Sequence, residues 1–349
     1  MTPPTRVPSS WSPPGRGHGR RGGQGRQGRL VAGVVGVVAA VALSACTGVT
    51  YAETPLPTPQ VTTTTPAPAG TPVTCDNATQ SYDPLPSIPA SSAITDRSVR
   101  AILERGHLVV GVSADTYLFG ARDPFTSRIE GFDIDIARAV AKSLLGSESK
   151  LRLRVITAAD RLQVLADREV DMVARNMTMT CARWQEIAFS AEYYHSGQKL
   201  LVAKDPGGAV PDTGLEDLEG KRVCAPRGTS TLEKLRTVSG VEAVPAVDHT
   251  GCLVLFQQGK ADAITGDDTV LAGLAAQDPY TVVSSAPAIT DEPYGLGFNK
   301  EDVYLTRYVN RLLADMKADG RWKAIYNRWL AEPLGPAPAP PAGVHGRDA

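Results

Sequence analysis

The chain is short of the features that usually betray a partner. Its 36 lysines and arginines are matched by 37 acids, a formal charge of -1, so there is no electrostatic case for nucleic acid. Five cysteines and five histidines are scattered with no C-x-x-C and no paired-histidine spacing. That argues against a zinc-type site, and nothing calls for a cofactor. No apolar run reaches the roughly 20 residues of a stable membrane span. The longest, residues 30–45, falls short, and neither a second span nor an output domain follows it. What remains is a soluble globular composition, 42% apolar over 349 residues, long enough for roughly two domains.

Acidic residues are also missing from the first stretch. None precedes Glu53, whereas Arg16, Arg20, Arg21, Arg26 and Arg29 all precede the apolar run. A basic n-region, an apolar h-region and small residues before a cut site make a secretory signal over 1–45. The quartet Leu43-Ser44-Ala45-Cys46 resembles a bacterial lipobox, which implies cleavage before Cys46 and lipid on its thiol. Acyl chains then hold the protein on the outer face of the cell membrane, at about 0.8 kcal/mol per buried methylene. Residues 46–90 are dense in Pro, Thr, Ala and Ser, too poor in apolar surface to offset ordering entropy, and read as a disordered tether. The Pro/Ala-rich tail over 331–349 is expected to be disordered too. Once Cys46 is lipidated, Cys75, Cys181, Cys224 and Cys252 remain. Outside the cytosol, an even number favours disulfides, with three connectivities open.

Between tether and tail, short apolar strands alternate with helical patterns. Strands are expected at 108–112, 151–155 and 170–174, with helices at about 97–106, 131–144 and 158–168. Asp133 suits the N-cap of the second helix, and Asp135 suits its first turn. A second set follows, with strands at 198–204, 221–225, 243–247 and 261–265, then 294–298 and two closing helices. This alternation predicts an α/β fold of mainly parallel sheets with crossover helices. Ligands of such sheets sit beyond the carboxyl ends of the strands.

The polar residues gather at those ends. After the strand at 170–174 come Arg175, Asn176, Thr178, Thr180 and Arg183. A guanidinium with hydroxyls suits a carboxylate, because the planar fork donates two parallel hydrogen bonds. Thr229 and Ser230 fall at a helix N-terminus, where free N–H groups favour an anion, although capping alone accounts for them. Asp267 and Asp268 carry the same capping alternative. The loop after 112 contributes Asp115, Phe119 and Arg122.

Several strings together resemble one family. They are G-F-D-I-D-I-A (131–137), M-T-M-T-x-x-R (177–183) with A-F-S (188–190), G-K-A-D-A-I (259–264), Y-G-L-G-F (294–298) and D-G-R-W-K-A-I-Y-N-R-W-L (319–330). The set is similar to the family 3, polar amino-acid, solute-binding proteins of ABC importers. Its nearest likeness is to the actinobacterial glutamine/glutamate-binding lipoproteins, which share the F-x-x-R-D-P string (119–124). The resemblance implies a two-lobed periplasmic-binding-protein fold of type II. Lobe 1 is expected at about 74–198 plus 288–330 and lobe 2 at about 199–287, with two crossover strands as the hinge. Pairing Cys75 with Cys181 and Cys224 with Cys252 keeps each disulfide within one such lobe.

The resemblance also implies roles. Arg183 takes the α-carboxylate of an amino acid, with Thr178 and the backbone N–H at Thr229, beside Ser230. Asp267 takes the α-ammonium with the carbonyl of Asn176. Asp115 and Phe119 cover the ligand side chain. Where the family commonly has glycine, this chain has Asn176, and Arg175 stands beside it. An extra guanidinium, Arg175 and also Arg122 unless it pairs with Asp123, points to aspartate or glutamate, then to asparagine or glutamine. The expected partners are an ABC permease or a membrane sensor, and the protein is expected to be a monomer. The competing reading is an enzyme resembling cyclohexadienyl (arogenate/prephenate) dehydratases on the same fold. That enzyme needs a general acid, and the cleft carboxylates are already assigned to the ammonium.

Overall fold

A computed structural model describes residues 73–348. The signal segment, Cys46 and the tether up to residue 72 lie outside the described residues. The first helix, α1 (Arg97–Arg105), starts where the Asp96 side chain accepts from Val99 N at 3.0 Å and stops at Gly106, whose φ of 76° breaks it. It delivers the chain into β1 (Leu108–Val112). A small antiparallel ribbon of β2 (Asp115–Thr116), β3 (Gly120–Arg122) and β4 (Ile129–Glu130) then occupies what the sequence presents as a plain loop. Helix α2 (Phe132–Leu145), strand β5 (Leu151–Val155), helix α3 (Arg161–Ala166) and strand β6 (Met172–Ala174) follow. After them come α4 (Cys181–Glu186) and β7 (Ile187–Phe189).

The chain then crosses on β8 (Tyr194–Ala203) to a second unit. That unit holds β9 (Arg222–Pro226), α5 (Ser230–Leu235), β10 (Glu242–Ala246), α6 (His249–Gln257), β11 (Ala263–Asp267), α7 (Asp268–Gln277) and β12 (Thr281–Val283). It returns through β13 (Asp291–Tyr294), which pairs antiparallel with β8 from Gly197↔Asp291 to Tyr194↔Tyr294. β14 (Gly297–Asn299) and the helices α8 (Val303–Ala318), α9 (Arg321–Trp329) and α10 (Ala331–Leu334) complete the first unit.

Two sheets result. The first runs β5-β1-β6-β14-β7, with β1 parallel to both β5 and β6. The second runs β10-β9-β11-β8-β12, with β9 parallel to both β10 and β11. The architecture is the two-lobed type II fold. The first lobe has one aromatic-rich core, with Phe132, Phe189, Phe298, Tyr193, Tyr294 and Trp322 all buried. The second lobe is thinner. Leu200, Val223 and Leu232 cover one face of its sheet, and Leu201, Cys224, Cys252 and Ile264 cover the other. The structure links Cys224 to Cys252 within that second layer, and Cys75 to Cys181 in the first lobe.

Three expectations need correcting. Residues 73–90 are not all tether. Ser81, Tyr82 and Leu85 are buried, and Ser81 Oγ donates to Phe189 O at 2.7 Å. The tail beyond residue 330 is not a disordered end. It forms α10 and then lies along the N-terminal arm, with Ser81 N donating to Val344 O at 2.9 Å. Proline and alanine do not preclude docking where backbone groups and an arginine find partners. Asp133 is not an N-cap either. Gly131 precedes the helix with φ of 147°, and the Asp133 carboxylate accepts instead from Tyr193 OH at 2.7 Å and Asn176 N at 3.2 Å.

Candidate functional site

The carboxyl ends of β1, β5 and β6 in one lobe face those of β9, β10 and β11 in the other. Between them lies a narrow space lined by Thr116, Arg161, Arg175, Asn176, Thr178, Thr229, Ser230, His249 and Asp267. The room left is about 10 Å³, enough for roughly one water. The lobes are therefore closed, and a small ligand fits between them only when they part.

Each side chain is fixed by its element. The turn after β6 places Asn176 at φ 41°, a left-handed conformation that asparagine tolerates better than most residues and glycine best. Its amide points inward, and neither Oδ1 nor Nδ2 has a partner. Thr180 caps α4 by accepting from Arg183 N at 3.3 Å, so the helix begins at the binding turn. Arg183 is buried but does not line the space itself; it donates to Thr178 O at 2.7 Å and across the cleft to Gly228 O at 3.2 Å, each a neighbour of a lining residue. Thr229 caps α5 by accepting from Leu232 N, and its hydroxyl donates to Pro226 O at 2.7 Å. Only its backbone N–H is left to face a ligand. Asp267 ends β11 and makes no side-chain cap; its carboxylate accepts from Tyr294 OH.

Not every residue picked out in the sequence reaches this space. Phe119 is fully buried in the first lobe's core, 5.5 Å from the Phe132 ring and 5.2 Å from that of Tyr194. Arg122 is exposed on the ribbon and donates to Ser127 O at 2.7 Å. Arg175 does line the space, but its guanidinium is partly committed. Nε donates to Ile156 O at 2.8 Å, and the fork lies 3.6 Å from Asp115. Asp115 sits at the margin with one buried oxygen, Oδ2, unpartnered.

Three participants went unnoticed in the sequence. Arg161, buried at the start of α3, donates to the carbonyls of Ala158 (2.8 Å), Asn176 (2.8 Å) and, across the cleft, Gly228 (2.7 Å). His249, the first residue of α6, is buried with Nε2 unpartnered. Both follow carboxyl ends of parallel strands, β5 and β10, and the rule that singled out the other loops applies to them equally. Glu292 on the crossover strand β13 accepts from Thr178 Oγ1 in one lobe and Ser230 Oγ (2.7 Å) in the other. Its signal is the acid immediately before the P-Y-G-L-G-F string.

The electrostatics are unbalanced. Burial pushes the guanidiniums of Arg161, Arg175 and Arg183 below their ordinary values, and Arg183 and Arg175 push Arg161 further. Burial, then the nearby charge of Glu292, raises the Asp267 carboxyl to about 8. Burial lowers His249 to about 4, leaving it neutral at pH 7. A ligand carrying both a carboxylate and an ammonium relieves both strains at once: the crowded cations gain an anion, and Asp267 gains a reason to ionise.

The model of the bacterial extracellular solute-binding proteins, family 3, matches residues 108–332. The chain belongs to that family. It is similar to the ABC transporter glutamine-binding protein GlnH of Bacillus subtilis, 34% identical over 245 residues, which cover 70% of this chain and 88% of that protein. Glutamate-binding protein GluB of Corynebacterium efficiens is 30% identical over 246 residues, 67% of this chain and 81% of its own. Among solved structures, an ancestral arginine-binding protein bound to glutamine superposes with a TM-score of 0.60 at 30% identity, covering 65% of this chain and 98% of that one. A mutant of the arginine-binding protein of T. maritima gives 0.62 at 29%, covering 67% and 99%. These relatives bind amino acids. The solute-binding protein described here is accordingly a binder and not an enzyme, which sets the dehydratase reading aside.

Proposed function

We propose that this solute-binding protein captures a polar amino acid outside the cytoplasm, aspartate or glutamate first, and presents it to an ABC importer or a membrane sensor. The membrane attachment through Cys46 is part of the same proposal. In this reading Arg183 and the backbone N–H groups at Thr178 and Thr229 hold the α-carboxylate. Asp267, the Asn176 carbonyl and the oxygens of Thr178 and Ser230 receive the α-ammonium. With Glu292 accepting both hydroxyl protons, those two oxygens are left as acceptors, which suits an ammonium better than a carboxylate.

The observation that carries the acidic preference is the crowding of buried guanidiniums at one small space, Arg161 and Arg175 lining it and Arg183 bonded to Gly228 beside it. A second carboxylate on the ligand side chain meets Arg175, and His249 Nε2 and the Asn176 amide provide the remaining contacts. A ten-atom amino acid reaches about -8 kcal/mol readily, since very small ligands gain up to roughly 1.5 kcal/mol per heavy atom. One observation favours an amide side chain as the second reading. Asp115 Oδ2 is buried, unpartnered and close to Arg175, an acceptor that suits the N–H of glutamine or asparagine and repels a carboxylate. The glutamine named in the Bacillus relative agrees with that reading. Calorimetric titration of the lipid-free protein with L-glutamate, L-aspartate, L-glutamine and L-asparagine separates the two. Tighter binding of the amides makes Asp115 the selector and refutes the Arg175 argument, and no binding of any refutes the proposed site.

A further inference from the structure

The two ends of the described chain meet behind the binding turn. Val344 bridges Gln80 in parallel register, and Arg347 N donates to Ser81 O at 3.0 Å while Gln80 Nε2 donates to His345 O at 2.9 Å. The Arg347 guanidinium donates from Nε to Gln80 O at 2.7 Å and from Nη2 to Asn77 O. The same guanidinium lies over the indole of Trp184, 3.7 Å from its ring centre. Lys317 Nζ anchors the tail further back, on Pro341 O at 2.8 Å.

Trp184 is the residue after Arg183, in the six-residue helix α4. Its Nε1 donates to Ala78 O at 2.6 Å, and its ring packs on Tyr82 and Phe189, with centres 5.9 and 5.4 Å away. One turn earlier, Cys181 is bonded to Cys75 of the same arm. A helix this short has little stability of its own. Its position is set by the disulfide on one side and by the indole, held between arm and tail, on the other.

We propose that residues 336–348 are a strap, with Arg347 as its positioning residue, that presses the N-terminal arm and Trp184 into place and so fixes Arg183 for its ligand. This rests on the reading of Arg183 as the ligand's carboxylate grip. A cation stacked on a buried indole, with its remaining donors on two arm carbonyls, joins three segments far apart in sequence through one side chain. Fixing the grip in advance lowers the ordering cost of binding.

The test uses the full mature chain, its Arg347→Ala and Arg347→Lys variants, and a chain ending at Gly335. Amide hydrogen exchange over 178–186 and calorimetric titration with L-glutamate and L-glutamine are measured on each. Removing the tail and Arg347→Ala are expected to raise exchange in 178–186 while 222–235 in the second lobe stays protected, and to weaken binding about tenfold. Arg347→Lys keeps a cation over the ring but loses the fork to the arm, and recovers part of both losses. Unchanged exchange at 178–186 in both the Ala variant and the shortened chain overturns the strap. Raised exchange with unchanged affinity reduces it to a purely structural contact and overturns its link to the grip. If the intact protein binds neither amino acid, the ligand reading falls, and the exchange measurements alone decide whether the tail holds the turn.

Discussion

At the scale of single residues, the site is a set of buried groups whose partners do not balance. Asp267 lines one small space and Arg183 lies buried beside it, and burial pushes both towards neutrality, the guanidinium down and the carboxyl up. Arg183→Ala and Asp267→Asn are each expected to weaken amino-acid binding by more than about a hundredfold, the worth of a desolvated charged hydrogen bond. Titration calorimetry reads this directly, and near-native affinity in either variant contradicts the assignment. Arg161 makes a different case. It touches four backbone carbonyls, and the link to Gly228 is also a link between lobes. Replacing it with methionine strands buried acceptors, for which we expect a loss of about 2–3 kcal/mol in urea-unfolding stability. If Arg161→Met is as stable as the parent, relief of the repulsion among the three guanidiniums outweighs the lost hydrogen bonds.

At the scale of elements, the decisive feature is the turn between β9 and α5. Gly228 has φ of 73°, and a Cβ there falls 2.6 Å from Ala159 Cα and 2.9 Å from Ala159 N of the opposite lobe. The glycine serves closure as well as the turn. Gly228→Ala is expected to hold the lobes apart, so that the compaction which small-angle scattering detects on adding ligand is lost and affinity drops at least tenfold. Ligand-induced compaction equal to the parent's refutes it. Much of this level was legible in sequence, because strands announce themselves as short apolar runs between polar turns. Asp267 and Thr178 stand out in the sequence because they follow such runs, and the structure places both on the lining of the space. Arg161 and His249 follow strands too. Both strands are legible, but Arg161 and His249 sit in the first turn of the helix that follows rather than at the strand end, where residue type alone does not mark a ligand contact. Phe119 was misplaced because a loop aromatic reads as a ligand cover until a ribbon is seen folding it into the core. The tail was misjudged because composition records how much apolar surface a segment has, not whether one arginine finds a tryptophan.

For the molecule as a whole, ligand, proton and fold are linked. Asp133 and Asp267 are raised to about 7 and about 8 by burial, from an unfolded value of 3.8. The folded, ligand-free protein therefore binds more protons than the unfolded chain between those limits. The stability this contributes is complete below about pH 4 and is lost as the pH rises through 7 and 8. In the proposed site an ammonium beside Asp267 would favour its ionised form and bring its pKa down, whereas Asp133, held by Tyr193 and Asn176 N, would face no ligand cation. Ligand should then remove the Asp267 part of the loss and leave the Asp133 part. Thermal unfolding at pH 5, 6.5 and 8, with and without saturating L-glutamate, is expected to show a midpoint that falls with pH in the free protein. The increase caused by ligand should grow over the same interval, and below pH 8 calorimetry in buffers of different ionisation enthalpy should register proton release on binding. In Asp267→Asn that growth should vanish at any ligand concentration high enough to bind. A ligand-induced increase that is flat or shrinks with pH in the parent protein means that Asp267 does not meet the ammonium, and the two ends of the ligand must then be assigned the other way round in the cleft.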